Sequence, residues 1–247
     1  MHYKRKHSVN VFVLTVIILI LGLSACQKSE DYYLDSGLAV PYFKGTTMDY
    51  LQSKPFYFDS VAFVAQLAEM DSLLAHDSVT FFAPTDRSIL RLIKITNDYL
   101  YAQRYDTIRT LQDVPRVVWQ KYLSRYMFHG YYKLKDYPQI NYDQLVKFPG
   151  QGYLSWDGTP MNIGVVYHDN NGVKYVGYRQ LSIAYIPDLS APTEGWFKAY
   201  VASSNILTDN GVVHVLSDNH TYFGFSSSEF ISDMESVMSR GGSGSVK

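Results

Sequence analysis

Two hydrophobic periods run along this chain, and the switch between them divides it. Val61, Val64, Ala65 and Ala68 fall on one helical stripe, with Phe63, Leu67, Met70 and Leu74 beside them. This pattern predicts a helix buried on a broad face and capped by Asp59 or Ser60. Just before it, Thr46 or Thr47 is placed to cap a short helix ending at Leu51. Val79 to Ala83 is a continuous apolar run of strand length. Pro84 lacks the N–H that a ladder needs and ends it, and Thr85 or Asp86 opens a helix carrying Ile89, Leu90, Leu92 and Ile93. Residues 94–112 are polar and show little period. Asp113-Val114-Pro115 then reads as a helix start, with Val118, Tyr122 and Tyr126 on one stripe down to His129 and Gly130 as the terminating residue.

From about residue 139 short β-rich runs alternate with Gly and Asn. Val165-Val166-Tyr167 and Val173-Lys174-Tyr175-Val176 flank Asp169-Asn170-Asn171-Gly172, a hairpin signal. Leu181 to Ile186 is a further strand ended by Pro187, and Asn210-Gly211 turns into the strand Val212 to Leu216. Ser226 and Glu229 have the spacing of a capping box ahead of a helix with Phe230, Met234 and Val237, and a flexible end is expected from Gly241 to Lys247. Helices first and strands later, without βαβ alternation, predict an α+β fold. One domain is expected over residues 45–225, followed by a C-terminal helix and tail over 226–247.

The first 25 residues have a different texture. Lys4, Arg5 and Lys6 precede the uncharged run Val11 to Leu23, whose thirteen residues rise about 20 Å as a helix, short of a bilayer's hydrocarbon core. That is signal-peptide length. The following Leu23-Ser24-Ala25-Cys26 resembles the lipobox of bacterial lipoproteins, in which small residues admit the peptidase and the cysteine thiol takes a lipid. The resemblance implies cleavage after residue 25, lipidation at Cys26, a tether over 26–44 and a membrane partner through the lipid. Gln27 stands where Asp would signal inner-membrane retention, so the implied location is the outer membrane. Lys28, Glu30 and Asp31 look like the charged tag that sends lipoproteins of Bacteroidetes-type bacteria to the cell surface; a solvated tether is the equal alternative. Cys26 is the one cysteine, which leaves no intramolecular disulfide and makes packing the source of stability.

Charge narrows the partners. Removing the three basic leader residues leaves 22 − 3 = 19 basic against 23 acidic side chains, a formal −4. A nucleic-acid binder needs a positive footprint, so that class is excluded. Tyr outnumbers Phe, 22 to 13. Its apolar body and polar tip suit sugar or protein contacts, although lining strands is the commoner use.

Three segments carry a family resemblance. Thr80-Phe81-Phe82-Ala83-Pro84-Thr85-Asp86 resembles the first motif of the fasciclin (FAS1) family, an aromatic strand running into a capped helix. Tyr126-Met127-Phe128-His129-Gly130 resembles its central Tyr-His motif, with Phe128 in the tyrosine place. Ser204 to Leu216, with Asn210-Gly211 and His214, looks like its second conserved segment. The resemblance covers roughly residues 45–225, with segments 94–112 and 140–200 as insertions or extended hairpins. It implies a wedge of β-sheet packed with several helices, used as an extracellular binding or adhesion module without catalysis. The implied partner is a glycan or protein, with no cofactor. An accessory role in glycan capture for an outer-membrane uptake complex is the alternative, and an envelope enzyme a third reading.

Candidate chemistry is sparse. His129 and His214 stand in the motifs and are read as structural, with ligand or acid/base work as the alternative. No paired Cys/His spacing supports a metal, Asp169 to Gly172 lacks the further acids of a calcium loop, and Gly150-Gln151-Gly152 lacks the Lys of a phosphate loop. Trp156, Trp196, Tyr167, Tyr175, Tyr178 and Tyr185 cluster in the strand-rich stretch. If exposed together they form a surface for stacking on sugar rings or anchoring a partner; packing is the commoner role for such residues.

Overall fold

A computed structural model describes residues 42–218 and 221–242, with side chains to residue 238. The leader, Cys26 and the tether up to residue 41 lie outside the described residues. No helix among the described residues is long and apolar enough to cross a membrane.

Helix α1 (Thr47–Gln52) begins with the expected cap, and Thr46 and Asp49 exchange hydrogen bonds as a capping box. Helix α2 (Pro55–Leu67) starts earlier than its stripe suggests, so Asp59 and Ser60 lie inside it rather than capping it. Pro55 at the first helical position has the φ a helix needs and no N–H to waste. The stripe that was expected to run on to Leu74 breaks at Glu69, in the left-handed region at φ 53°. Met70 N–H reaches back to Ala65 and Glu69 N–H to Gln66, the paired bonds of a Schellman stop. Helix α3 (Asp71–His76) then leads to β1 (Val79–Ala83), buried throughout.

Helix α4 (Asp86–Ala102) runs well into the stretch read as aperiodic. Thr96 and Leu100, both buried, prolong the face begun by Ile89 and Leu92; a buried threonine hid the period. Helix α5 (Arg116–Ser124) stops before the expected end at His129. Met127–His129 is instead strand β2, antiparallel to β1, and Gly130 at φ 93° ends that strand rather than a helix. The reason is tertiary. Tyr126 stays in phase with the helical stripe because its ring stacks on Phe225, while the next three residues satisfy their backbone on the open edge of β1.

The remaining strands are β3 (Gln139–Ile140), β4 (Gln151–Leu154), β5 (Pro160–Tyr167), β6 (Arg179–Tyr185), β7 (Phe197–Leu207) and β8 (Gly211–Leu216). They form one mixed sheet in the order β2-β1-β8-β7-β6-β5-β3, with β4 also on β5. The β1–β8 and β3–β5 pairs are parallel. The hairpin at residue 169 is present, but β5 pairs with Arg179–Tyr185 and residues 173–176 sit in the connecting loop. Asn171 and Gly172 take positive φ and close a tight turn between Asn170 and Val173.

Helix α6 (Ser227–Gly242) packs Phe230 and Met234 into the core and includes Gly241 and Gly242, where a flexible end was expected; residues 243–247 lie outside the described residues. Its capping box is one-sided. Ser226 Oγ accepts the Glu229 N–H at 3.3 Å, but the Glu229 carboxylate turns to Arg125 at 2.7 Å and Lys121 at 2.9 Å. Arg125 is 1% exposed and held between the rings of Tyr122 and Tyr185, so its charge requires a counter-ion more than the cap requires a second bond. Burial opposes charge on Glu229, yet bonds from Arg125 and Lys121 outweigh it and keep the carboxyl below its usual range. The α+β architecture expected from the order of elements is the one observed.

Candidate functional site

The three motif segments converge, since β2, β1 and β8 are neighbours. Thr80 lies opposite Phe128 and Phe82 opposite His214. Phe82 packs its ring on Phe128 at 5.7 Å and on the His214 imidazole at 4.9 Å. The Thr80 hydroxyl donates to Gly130 O and accepts the Tyr132 N–H. His214 is fully buried: its Nδ1 accepts the Asn205 N–H at 3.2 Å, which leaves Nε2–H to donate to Tyr132 O at 2.9 Å. Burial pushes its pKa down to about 4, so the ring is neutral at ordinary pH.

Asn210 ties three segments together. Its Oδ1 accepts the Thr47 N–H at 2.8 Å, and its amide donates to Leu74 O and Asp77 O. Gly211 is obligatory because a Cβ there would stand 2.2 Å from Val79 O. Ala83 is buried at the end of β1, and Pro84 follows it. Thr85 holds the cap position of α4 without a side-chain cap bond. Asp86 reaches from the start of α4 to α2 and accepts the N–H of Val61, the seventh residue of that helix, at 3.0 Å. Burial raises its carboxyl above the usual range against the pull of the α2 N–H groups. His129 is exposed and stacked on Trp156 at 3.9 Å. These motif residues thus hold strands and helices together, and His129 alone among the two motif histidines meets solvent.

A second region has a different character. Beyond β3, the turn 141–144, the end of β5, the loop after it and the start of β7 enclose an open cleft of about 460 Å³. Tyr142, Tyr167, Tyr175 and Tyr200 line it. The rings are held by their neighbours, Tyr200 edge-on to Tyr142 at 6.3 Å. Tyr142 shares a hydrogen bond with Ser182 at 2.5 Å, sits edge-on to Trp196 and lies under Lys198 Nζ at 4.2 Å. Burial raises the pKa of its hydroxyl, which stays protonated. Tyr167 stacks on the Arg179 guanidinium at 3.5 Å, and Tyr175 accepts from Asn141 at 3.2 Å. Asp143, Gln144 and Lys174 place polar heads at the exposed rim. Two carboxylates, Asp143 and Asp169, face two ammonium groups, Lys174 and Lys198, so the lining is balanced in charge.

The aromatic cluster suggested by sequence is therefore split. Tyr167 and Tyr175 line the cleft, and Trp196 braces it. Tyr178 stacks on His168, Trp156 covers His129, and Tyr185 lies under Arg125. Tyr142, Tyr200 and Lys198 were missed. Lys198 and Tyr200 carry a readable signal, since residues two apart on a strand share a face. Tyr142 sits in an irregular turn and carries none. Among the described residues no three His, Cys, Asp or Glu side chains converge as a metal site.

No protein-family model matches the chain, and no curated protein does. Among solved structures the chain is similar to a FAS1 domain pair from the insect cell adhesion molecule fasciclin I, at 14% identity and a TM-score of 0.44. That match covers 70% of this chain and 49% of the other, so this chain spans about half the length of the protein it matches.

Proposed function

We propose that this protein is a binding module, lipid-anchored through Cys26 at the outer membrane and exposed at the cell surface, that holds carbohydrate in the tyrosine cleft without transforming it. The cleft carries the reading. Sugar rings present apolar C–H faces and polar edges, and ligand sites of this kind combine aromatic walls with a few placed polar groups. Four braced tyrosines supply the first, and Asp143, Gln144 and Lys174 the second. Balanced lining charge favours a neutral saccharide over a polyanion. The motif residues, engaged in backbone bonding and packing, serve as the frame.

A glycan array followed by calorimetry on the mature protein tests this. Binding should be present in the wild type and lost in Tyr167→Ala and Lys198→Ala. A wild type that binds no saccharide, or variants that bind undiminished, would overturn it. Co-purification of the protein with an outer-membrane glycan importer would favour the accessory-capture form of the same reading, for which the cleft is equally suited. Incorporation of labelled palmitate, absent in Cys26→Ser, tests the anchor.

A further inference from the structure

Away from the cleft, a groove of about 690 Å³ runs between the start of α2, the start of α4, the middle of β7 and the end of β8. Its rim carries Phe56, 78% exposed, and Tyr57, 54% exposed, with Lys54 beside them. The two rings pack edge to face at 5.0 Å, so they stand out as one unit. The acids of the groove are already engaged: Asp86 takes the Val61 N–H, and Asp218 pairs with Arg87 and Arg91. Lys54 has no ion-pair partner among the described residues. The rim thus offers paired aromatics, a free ammonium group and no free carboxylate of the groove.

This rim lies at the end where the chain enters the fold. Phe43, Tyr50, Phe58, Tyr57 and Phe56 form an unbroken row of rings, each 5.0 to 6.1 Å from the next. Phe43 itself is pinned by its N–H to Leu207 O at 2.7 Å. From Cys26 to Pro41 is 16 residues, which reach at most about 55 Å.

We infer that Phe56, Tyr57 and Lys54 form a membrane-seating rim, and that its occupant is the lipid bilayer holding the acyl anchor. The inference rests on the Cys26 anchor proposed above. Aromatic rings settle at the level of lipid headgroups and a neighbouring lysine extends to the phosphates, which is the chemistry this rim presents. Two rings and one charge are a weak membrane signal alone. A short tether turns weak docking into an intramolecular event at high effective concentration, and anchoring of this kind uses two signals together.

The test uses the full acylated protein, its lipid verified by mass spectrometry, in vesicles of phosphatidylethanolamine and phosphatidylglycerol with brominated acyl chains. A tryptophan placed as Phe56→Trp should show a blue shift and a loss of emission beyond that of the native tryptophans. Tyr101→Trp, at the other end of α4 and 79% exposed, should show neither. Adding Lys54→Glu should reduce the quenching of Phe56→Trp. An acylated protein in which Phe56→Trp is unquenched, or quenched no more than Tyr101→Trp, overturns the inference while leaving the anchor standing. Absence of lipid on Cys26 overturns the anchor. A blue shift that appears without vesicles and grows with protein concentration assigns the rim to a second copy of the chain and overturns the membrane reading.

Discussion

The trio β2, β1 and β8 and the tyrosine cleft draw on similar side chains to opposite ends. In the strand trio and the turn that opens β8, Thr80, Asn210 and His214 each turn polar atoms toward backbone groups of other segments. In the cleft, Ser182, Arg179 and Trp196 brace the tyrosines, and the polar heads of Asp143, Gln144 and Lys174 are exposed. A buried polar group must find its partner inside the protein, because leaving one unmade costs more than making it gains. A polar group at the mouth of a cleft is satisfied by water and can exchange that water for a ligand. Satisfaction, rather than residue type, separates frame from site.

That contrast can be broken most forcefully at Gly211. The Gly211→Ala variant places a Cβ against Val79 O and should lose more than about 4 kcal/mol, seen as failure to yield folded protein by circular dichroism. A smaller effect follows from pH. The His214 pKa is about 4 in the folded state against 6.5 unfolded, so the unfolded chain binds the proton more readily. Stability should be full above pH 6.5 and fall as pH drops toward 4, by about 3 kcal/mol in total. Urea melts across that range check it, and His214→Asn should begin less stable but vary less over the same window.

Asn210→Ala removes partners of Thr47, Leu74 and Asp77 and should cost about 2 kcal/mol by thermal or urea unfolding. Saccharide affinity in the survivors should be unchanged, because Asn210 lies outside the cleft. The smallest stability effect belongs to the cleft itself. Lys198→Ala should shift unfolding by less than about 0.5 kcal/mol while abolishing binding in calorimetry. If Lys198→Ala unfolded the domain, or Asn210→Ala removed binding at equal folding, the division between frame and site would fail.

Much of the frame was legible. Val79–Ala83, Pro84 and the helix behind it follow from a continuous apolar run closed by a residue without an N–H, and the Thr46 cap and the turn at Asn171-Gly172 follow from local chemistry. The failures share one cause. Asp59 and Ser60 look like caps, but the carboxylate that serves their segment is Asp86, from another element. Tyr126 keeps helical phase yet follows the helix, because its ring belongs to a cluster with Phe223 and Phe225 that is remote in sequence. Glu229 has the spacing of a capping box and answers to Arg125 instead. For the cleft, alternation marks Lys198 and Tyr200, while nothing local places Tyr142 over Ser182.

Sequence by itself determined the order and type of most elements and the glycine at 211. These depend on hydrophobic period, on residues with or without an N–H or Cβ, and on composition, all of which act over a few neighbours. Tertiary structure alone decided that Met127 to His129 joins the sheet, that His214 is neutral and fully bonded, and that Tyr142, Tyr167, Tyr175 and Tyr200 share one cleft. Those outcomes require groups dozens of residues apart to meet, and the burial and hydrogen bonding that fix them exist only once the chain has closed on itself.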